Sequence, residues 1–294
     1  MSDLLRRYGY GLSGLFILVT AFWLLMLVVL PDLFLFENSF RPYIPAVEVG
    51  GPNDFYSFNN YLSFTSSPIH IQVFALTILY SSIVTLVCFI LSYPLAYYLA
   101  KVCNPRNVGT LFLVILIPLW VSEILRCFAL FILLSFKGPL NMSLIGLGII
   151  HDPIRWMTAY NSVMIGLVYV YILFMLFPIY NAIQSLDSNQ IEAAQDLGAP
   201  WWRTHWRVIM PHSKPGIASG CVMVFMLSAS SLFVPSLLAS TTSRWFTEII
   251  QQWMFESQDW NTGAAYAFLL LLLCILFVSM MMRAFKVSLA DIAK

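Results

Sequence analysis

Six stretches of nearly unbroken apolar character divide the chain: Leu12 to Leu30, Ile71 to Leu99, Gly109 to Leu134, Tyr160 to Ala182, Ile217 to Ala239 and Thr262 to Met282. Each approaches or exceeds the roughly 20 residues with which a helix crosses a hydrocarbon core. In lipid a backbone must satisfy its own hydrogen bonds, which helices do within a single segment. The pattern therefore predicts an all-α polytopic membrane protein with six transmembrane helices. Between the fourth and fifth runs the periodicity changes, and Ile183 to Lys214 reads as a long polar and aromatic loop.

That loop is sharply punctuated. Asp187 with Gln190 three positions on forms an N-cap and capping-box pair, Ile191 to Leu197 turns as a helix, and Gly198 supplies the left-handed residue that ends it. Pro200 opens a second short helix at its first position. Trp201, Trp202, Trp206, Val208 and Ile209 lie against the membrane interface or the first helix, while Pro211 and Pro215 set the entry into the next span. An ordinary interfacial helix carries large apolar side chains on its buried face. Here Ala193 and Ala194 leave a bare face flanked by Glu192 and Asp196, which suits close approach by another protein.

Composition narrows the class. Hydrophobic residues make up 60% of the chain and charged ones 10%, with a mean hydropathy of +0.81, whereas soluble domains are about 25% charged. A net charge of +1 without clustered Lys and Arg excludes a nucleic-acid partner. Cys88, Cys103, Cys127, Cys221 and Cys274 show no CxxC spacing and read as small apolar residues, with no disulfide or metal implied.

Placing both termini in the cytoplasm puts Arg6, Arg7, Lys101, Arg106, Arg203, Arg207, Lys214, Arg283, Lys286 and Lys294 inside, as the positive-inside rule asks. The outside then holds Asp32, Glu37, Glu48, Asp54, Asp152, Glu248, Glu256 and Asp259 against Arg41, Lys137, Arg155 and Arg244, a field that attracts cations. The outer loop from Pro31 to about His70, with Pro42, Pro45, Gly50 and Gly51, is expected to fold over the mouth of the helices. The outer segment from Ser135 to Ala159 is expected to hold a short helix near Ser143 to Ile150. The organisation read from these features is an N-terminal signal-anchor helix with its outer loop (1–69), a membrane core (70–283) containing the 183–214 loop, and a cytoplasmic tail (284–294).

Glu123 and Arg126 fall within the third apolar run, where a central charge costs roughly 2.5–3.5 kcal/mol on insertion scales. Three residues apart, they can pair with each other, or Glu123 can meet a cation. Pro118 can kink the same span. In the fifth run Gly216 and Gly220 permit close helix packing, and Ser228 to Ser231 suit either packing or a polar passage. Trp120, Tyr169 and Tyr171 offer aromatic faces to an ammonium group.

Glu192-Ala193-Ala194, then Gly198, then Val208-x-Met210-Pro211 resembles the EAA motif of bacterial ABC-importer permeases. The likeness runs from about His70 to about Met282 and sharpens toward the spermidine/putrescine permease branch. It is carried by Pro118-Leu119-Trp120 with Arg126, Lys137 to Asn141, Ile165 to Tyr169, Glu192 to Ala199, and Asp259-Trp260 with Gly263 to Ala265; Ser231-Leu232-Phe233 departs from the usual pattern. The resemblance implies a coupling helix built from Glu192, Ala193, Ala194, Asp196, Leu197, Gly198 and Ala199. Beside the resemblance, the charged, aromatic and hydroxyl residues of the spans give a candidate pathway set of Trp120, Glu123, Arg126, Tyr169, Tyr171, Ser228, Ser231, Phe233 and Asp259.

It further implies a permease subunit of the bacterial inner membrane, itself no enzyme, that pairs with a similar permease, two ATPase subunits and a periplasmic substrate-binding protein. The chain has no GxxxxGK[ST] loop and binds no cofactor on this reading; ATP and Mg belong to the ATPase. Polyamine is the first cargo implied, with an opine, another amine or ferric iron behind it. A proton-coupled secondary transporter using Glu123 remains the reading from another class, although no inverted repeat supports it.

Overall fold

A computed structural model describes residues 2–44, 51, 52, 54–158, 160–239 and 243–286, with side chains at 12 and from 14 onward. Pro45, Glu48, Gly50 and Lys294, the side chains of Arg6 and Arg7, and most of the expected 284–294 tail lie outside the described set. Every regular element among the described residues is helical. In order they are α1 (Ser2–Leu24), α2 (Leu30–Ser39), α3 (Asn59–Ser66), α4 (Pro68–Tyr97), α5 (Pro105–Trp120), α6 (Glu123–Leu134) and α7 (Pro139–Gly146). There follow α8 (Asn161–Gln184), α9 (Ser188–Asp196), α10 (Trp201–Thr204), α11 (Met210–Ala229), α12 (Phe233–Leu238), α13 (Phe246–Gln251) and α14 (Trp260–Phe285).

Among the described residues five helical segments are long and apolar enough to cross a membrane: Gly14–Ser39, Pro68–Val102, Glu123–Gly146, Asn161–Gln184 and Trp260–Phe285. The all-α polytopic class stands, but two of the six apolar runs are not single helices. The third breaks at Val121 and Ser122, whose ψ angles of 134° and 140° are extended, just past Pro118 in the last turn of α5. The fifth breaks at Ser230 to Leu232 between α11 and α12.

The chain divides into two compact units, Met1–Pro68 with Ile250–Leu269, and Ile69–Ile249 with Leu270–Lys294. In the first, helix continues past Leu30, across Pro31, as far as Ser39. The π-turn at Leu25–Val29 is the reason: a proline cannot donate to the preceding turn and crowds it, and a wider turn absorbs both problems. The outer segment then folds back on the helix end. Asn60 Nδ2 donates to the carbonyls of Ser39 (2.9 Å) and Arg41 (2.8 Å), and Asn261 Nδ2 donates to that of Asn38 (3.1 Å). Arg41 bridges Glu37 and Asp54, so part of the outer acidic excess is neutralised locally.

In the second unit α8 is central, with 56% of its membrane-length window buried. It packs antiparallel against α11, and the glycines set how closely. A Cβ on Gly216 would lie 2.4 Å from the Pro178 carbonyl oxygen, and one on Gly220 2.7 Å from Met175 Sδ. Tight packing therefore accounts for the GxxxG pair. The outer helix is α7, earlier than expected, because Pro139 starts it and buried Asn141 pins it: Asn141 Nδ2 donates to the carbonyls of Phe136 and Ile154 while its Oδ1 accepts from Trp156 Nε1.

Candidate functional site

Two places in the second unit combine the chemistry singled out in the sequence. The first is α9. Asp187 caps it by accepting from the Asn189 amide at 3.0 Å, while Gln190 supplies only its backbone amide, to the Asp187 carbonyl, so half of the expected capping box forms. At the other end Gly198 takes φ +74°. Its amide donates to the Gln195 carbonyl (2.8 Å) and that of Ala199 to the Ala194 carbonyl (3.1 Å), the paired closure of a Schellman motif.

α9 is thus a self-contained helix seated by one buried side chain, Ile191. Glu192, Ala193, Asp196 and Gly198 are exposed, Ala194 and Ala199 are half-buried, and Leu197 is 88% exposed. Trp201, Trp202 and Trp206 are also exposed, and Ile209 is the deeply buried member of the set expected against the membrane interface or the first helix. Pro200 is the N-cap of α10 and accepts from the Arg203 amide at 2.9 Å, one position before the place its fixed φ had suggested. Pro211 does not break the chain, since the π-turn at His205–Ile209 precedes it and leads directly into α11.

The second place is the pair of helix interruptions. Glu123, half-buried, stands in the first turn of α6, where the positive helix end favours a carboxylate. It accepts from the Tyr171 hydroxyl at 2.9 Å. Arg126 is 8% exposed; its NH1 donates to the Val170 carbonyl at 3.3 Å, and its Nε has no hydrogen-bond partner among the described residues. The Glu123–Arg126 ion pair that the spacing allows does not form, because the carboxylate turns to the α8 phenol and the guanidinium to the α8 backbone.

Ser231 is buried with its Oγ close to the Tyr171 side chain but outside good hydrogen-bond geometry to any described residue, while its carbonyl accepts from Thr247 Oγ1 at 2.6 Å. Ser228 is fully buried, donates to the Phe225 carbonyl, and accepts from Trp245 Nε1 at 3.1 Å through its own carbonyl. Side chains from the 243–247 segment thus satisfy the carbonyls released where α11 ends.

The remaining candidates divide. Tyr169, two positions from Tyr171, takes another side of α8 and lines an apolar cleft of about 320 Å³ with Ile83, Val84, Val87, Met164, Ile165 and Val168. Trp120 and Phe233 are exposed near the two breaks, at 80% and 48%. Asp259 belongs to the other unit, where its carboxylate accepts from the amide and hydroxyl of Thr262 at 3.0 and 2.7 Å and caps α14.

Sequence reasoning passed over Tyr93, Tyr97, Lys101 and His205, which hold the ends of the α9–α10 segment. His205 Nδ1 and the Tyr93 hydroxyl lie 3.0 Å apart, and Lys101 Nζ donates to the Leu186 carbonyl. The four-residue spacing of 93, 97 and 101 was the available signal.

Membrane-length helices, two broken runs with polar groups at the breaks, and a capped helix standing bare between α8 and α11 describe a multi-pass membrane permease. The chain belongs to the family of binding-protein-dependent transport system inner membrane components, whose model matches residues 92–286. It is 36% identical over 244 residues to the spermidine/putrescine transport system permease protein PotB of Escherichia coli, covering 83% of this chain and 86% of that one. It is 32% identical over 268 residues to PotB of Haemophilus influenzae, covering 90% and 91%. The bacterial alginate ABC transporter, solved in complex with an alginate pentasaccharide-bound periplasmic protein, shares the fold at a TM-score of 0.75 and 19% identity, covering 98% of this chain and 99% of that one.

Proposed function

We propose that this chain is one transmembrane half of a polyamine importer, moving spermidine or putrescine inward with energy from ATP and Mg held by separate ATPase subunits that dock on α9. The observation that carries the docking reading is the closed, bare helix itself: both ends are satisfied by its own chain, yet Leu197 is left 88% exposed beside Glu192 and Asp196. A hydrophobic side chain flanked by charges on a rigid short helix fits a groove on a partner. The cargo reading is supported by likeness to the two polyamine permeases over most of the chain.

On this reading residues 70–283 form the core, both termini are cytoplasmic, and the partners are a second, similar permease and a periplasmic binding protein. Glu123 and Tyr171 meet the ammonium of the cargo: the carboxylate supplies the charge and the phenol fixes it. Trp120, Ser231 and Phe233 border the route, while Tyr169, in its separate apolar cleft, and Ser228, bonded to the Phe225 carbonyl, stand apart from it. Arg126, a buried fixed cation, keeps the stop shallow, because a polyamine held too firmly would not leave.

Reconstitution of the complete transporter tests both parts. Labelled putrescine should enter only with ATP and the ATPase present, and Glu192→Lys should abolish ATPase copurification. Uptake that survives removal of the ATPase, or that follows a proton gradient instead, would falsify the reading.

A further inference from the structure

One stripe of α4 holds both ends of the α9–α10 segment. Tyr93, Tyr97 and Lys101 recur every four residues along α4 and the π-turn Tyr98–Val102 that ends it, the spacing that stacks side chains on one helical face. Lys101 Nζ donates to the carbonyl of Leu186, the residue before the N-cap of α9. The Tyr93 hydroxyl shares a 3.0 Å hydrogen bond with His205 Nδ1, and the Tyr97 ring meets the same imidazole edge-on with centroids 4.5 Å apart. Leu186 precedes α9 and His205 follows α10, so the whole segment is strung between two points on a single membrane-length helix.

We propose that Tyr93, Tyr97 and Lys101 are positioning residues that carry displacement of α9 into α4. The inference rests on reading α9 as the ATPase docking helix. α9 has little packing of its own, with Ile191 its one buried side chain, so a load on its exposed face passes to the fixed points at its ends. The two fixed points suit that task. Lys101 donates from an ammonium, and charge-assisted bonds are roughly twice as strong as neutral ones. It also sits where the last carbonyls of α8 carry partial negative charge. His205 is gripped by a phenol and by an aromatic edge, which restrains it in two directions. All three stripe residues are half-buried, which limits exchange with water. None of them needs to touch ATP or cargo.

The test uses the complete transporter in proteoliposomes, with MgATP on the ATPase side, labelled putrescine on the other, and putrescine moved per ATP hydrolysed as the readout. Lys101→Met and Tyr93→Phe should each lower that ratio by roughly fivefold or more, with ATPase copurification and basal hydrolysis at the parent level. Lys101→Arg should restore the ratio, since a guanidinium also reaches the carbonyl. Tyr93→Phe combined with His205→Asn should cost no more than His205→Asn alone, because the phenol contact is already lost with the imidazole. Yield and both rates falling together with an unchanged ratio would mean a merely structural stripe and overturn the proposal. A parent chain that does not copurify with the ATPase defeats the docking reading instead, and the stripe proposal falls with it.

Discussion

Around α9 the backbone is closed by its own chain, from the Asp187 cap to the Gly198 turn, while Leu197, Trp201 and Trp206 stand in the open. Around Tyr171 the arrangement differs: Trp120 and Phe233 stand in the open here too, but buried polar groups are added, Arg126 Nε without a hydrogen-bond partner among the described residues and Ser231 Oγ close to the Tyr171 side chain. A site that keeps apolar surface bare is shaped for a protein, which can bury it. A site that keeps polar atoms buried without partners is shaped for water or a small polar cargo, because leaving such a group unmet costs about 1–3 kcal/mol. On the proposed function, the contrast separates docking from passage within one unit, Ile69–Ile249 with Leu270–Lys294.

The comparison breaks first at Leu197. Leu197→Asp should weaken ATPase binding by about 3 kcal/mol, on the order of a hundredfold, in a titration of detergent-solubilised permease. Its melting temperature should stay put, since the side chain is 88% exposed. A melting loss with intact binding would make α9 an ordinary structural helix. On the other side, Glu123→Gln keeps an acceptor for Tyr171 and removes the charge. Half-saturation of putrescine uptake should rise by roughly thirtyfold, about 2 kcal/mol for a desolvated cation contact. Arg126→Met sharpens the same point: deleting a buried cation that has no ion-pair partner among the described residues should leave stability unchanged or raise it by about 1 kcal/mol or more, while transport falls. A marked drop in stability would show that the guanidinium serves the fold.

Gly198→Ala is a smaller test, confined to the loop. Nothing lies within 4 Å of the added methyl, so the cost is the backbone alone. At φ +74° that is about 1 kcal/mol, and Gly198→Asn, which tolerates this region better, should lose less. Equal losses for both, read as ATPase binding, would indicate that the partner contacts the glycine itself.

The unequal legibility of the two places has a physical cause. α9 is local: its cap, its alanines and its terminating glycine lie within a dozen residues, so sequence spacing and spatial spacing coincide. The cluster is not. Glu123 finds Tyr171 and Arg126 finds Val170 across separate helices, so the spacing of 123 and 126 suggested an ion pair that the packing of α6 against α8 replaces. Helix breaks were half visible. Pro118 marked the first, whereas Pro31 and Pro211 are absorbed by π-turns that composition does not announce. The break at Ser230 to Leu232 depends on Trp245 and Thr247 taking its carbonyls, which no reading of the serines alone could supply.

The mildest test asks whether acid acts on the loop. His205 lies among Tyr93, Tyr97 and Trp201, and partial loss of water lowers its pKa below the ordinary 6.5. The folded protein therefore holds that proton less tightly than the unfolded chain. His205 costs the fold nothing well above pH 6.5 and penalises it increasingly as pH falls below that value. The melting temperature should decline slightly between about pH 7.5 and about pH 5.5, and His205→Asn should flatten part of that slope. The effect is small because much of the imidazole still meets water. If parent and variant slopes coincide, acid is acting elsewhere in the chain, and burial of this imidazole between α4 and the loop contributes nothing to the difference between the two sites.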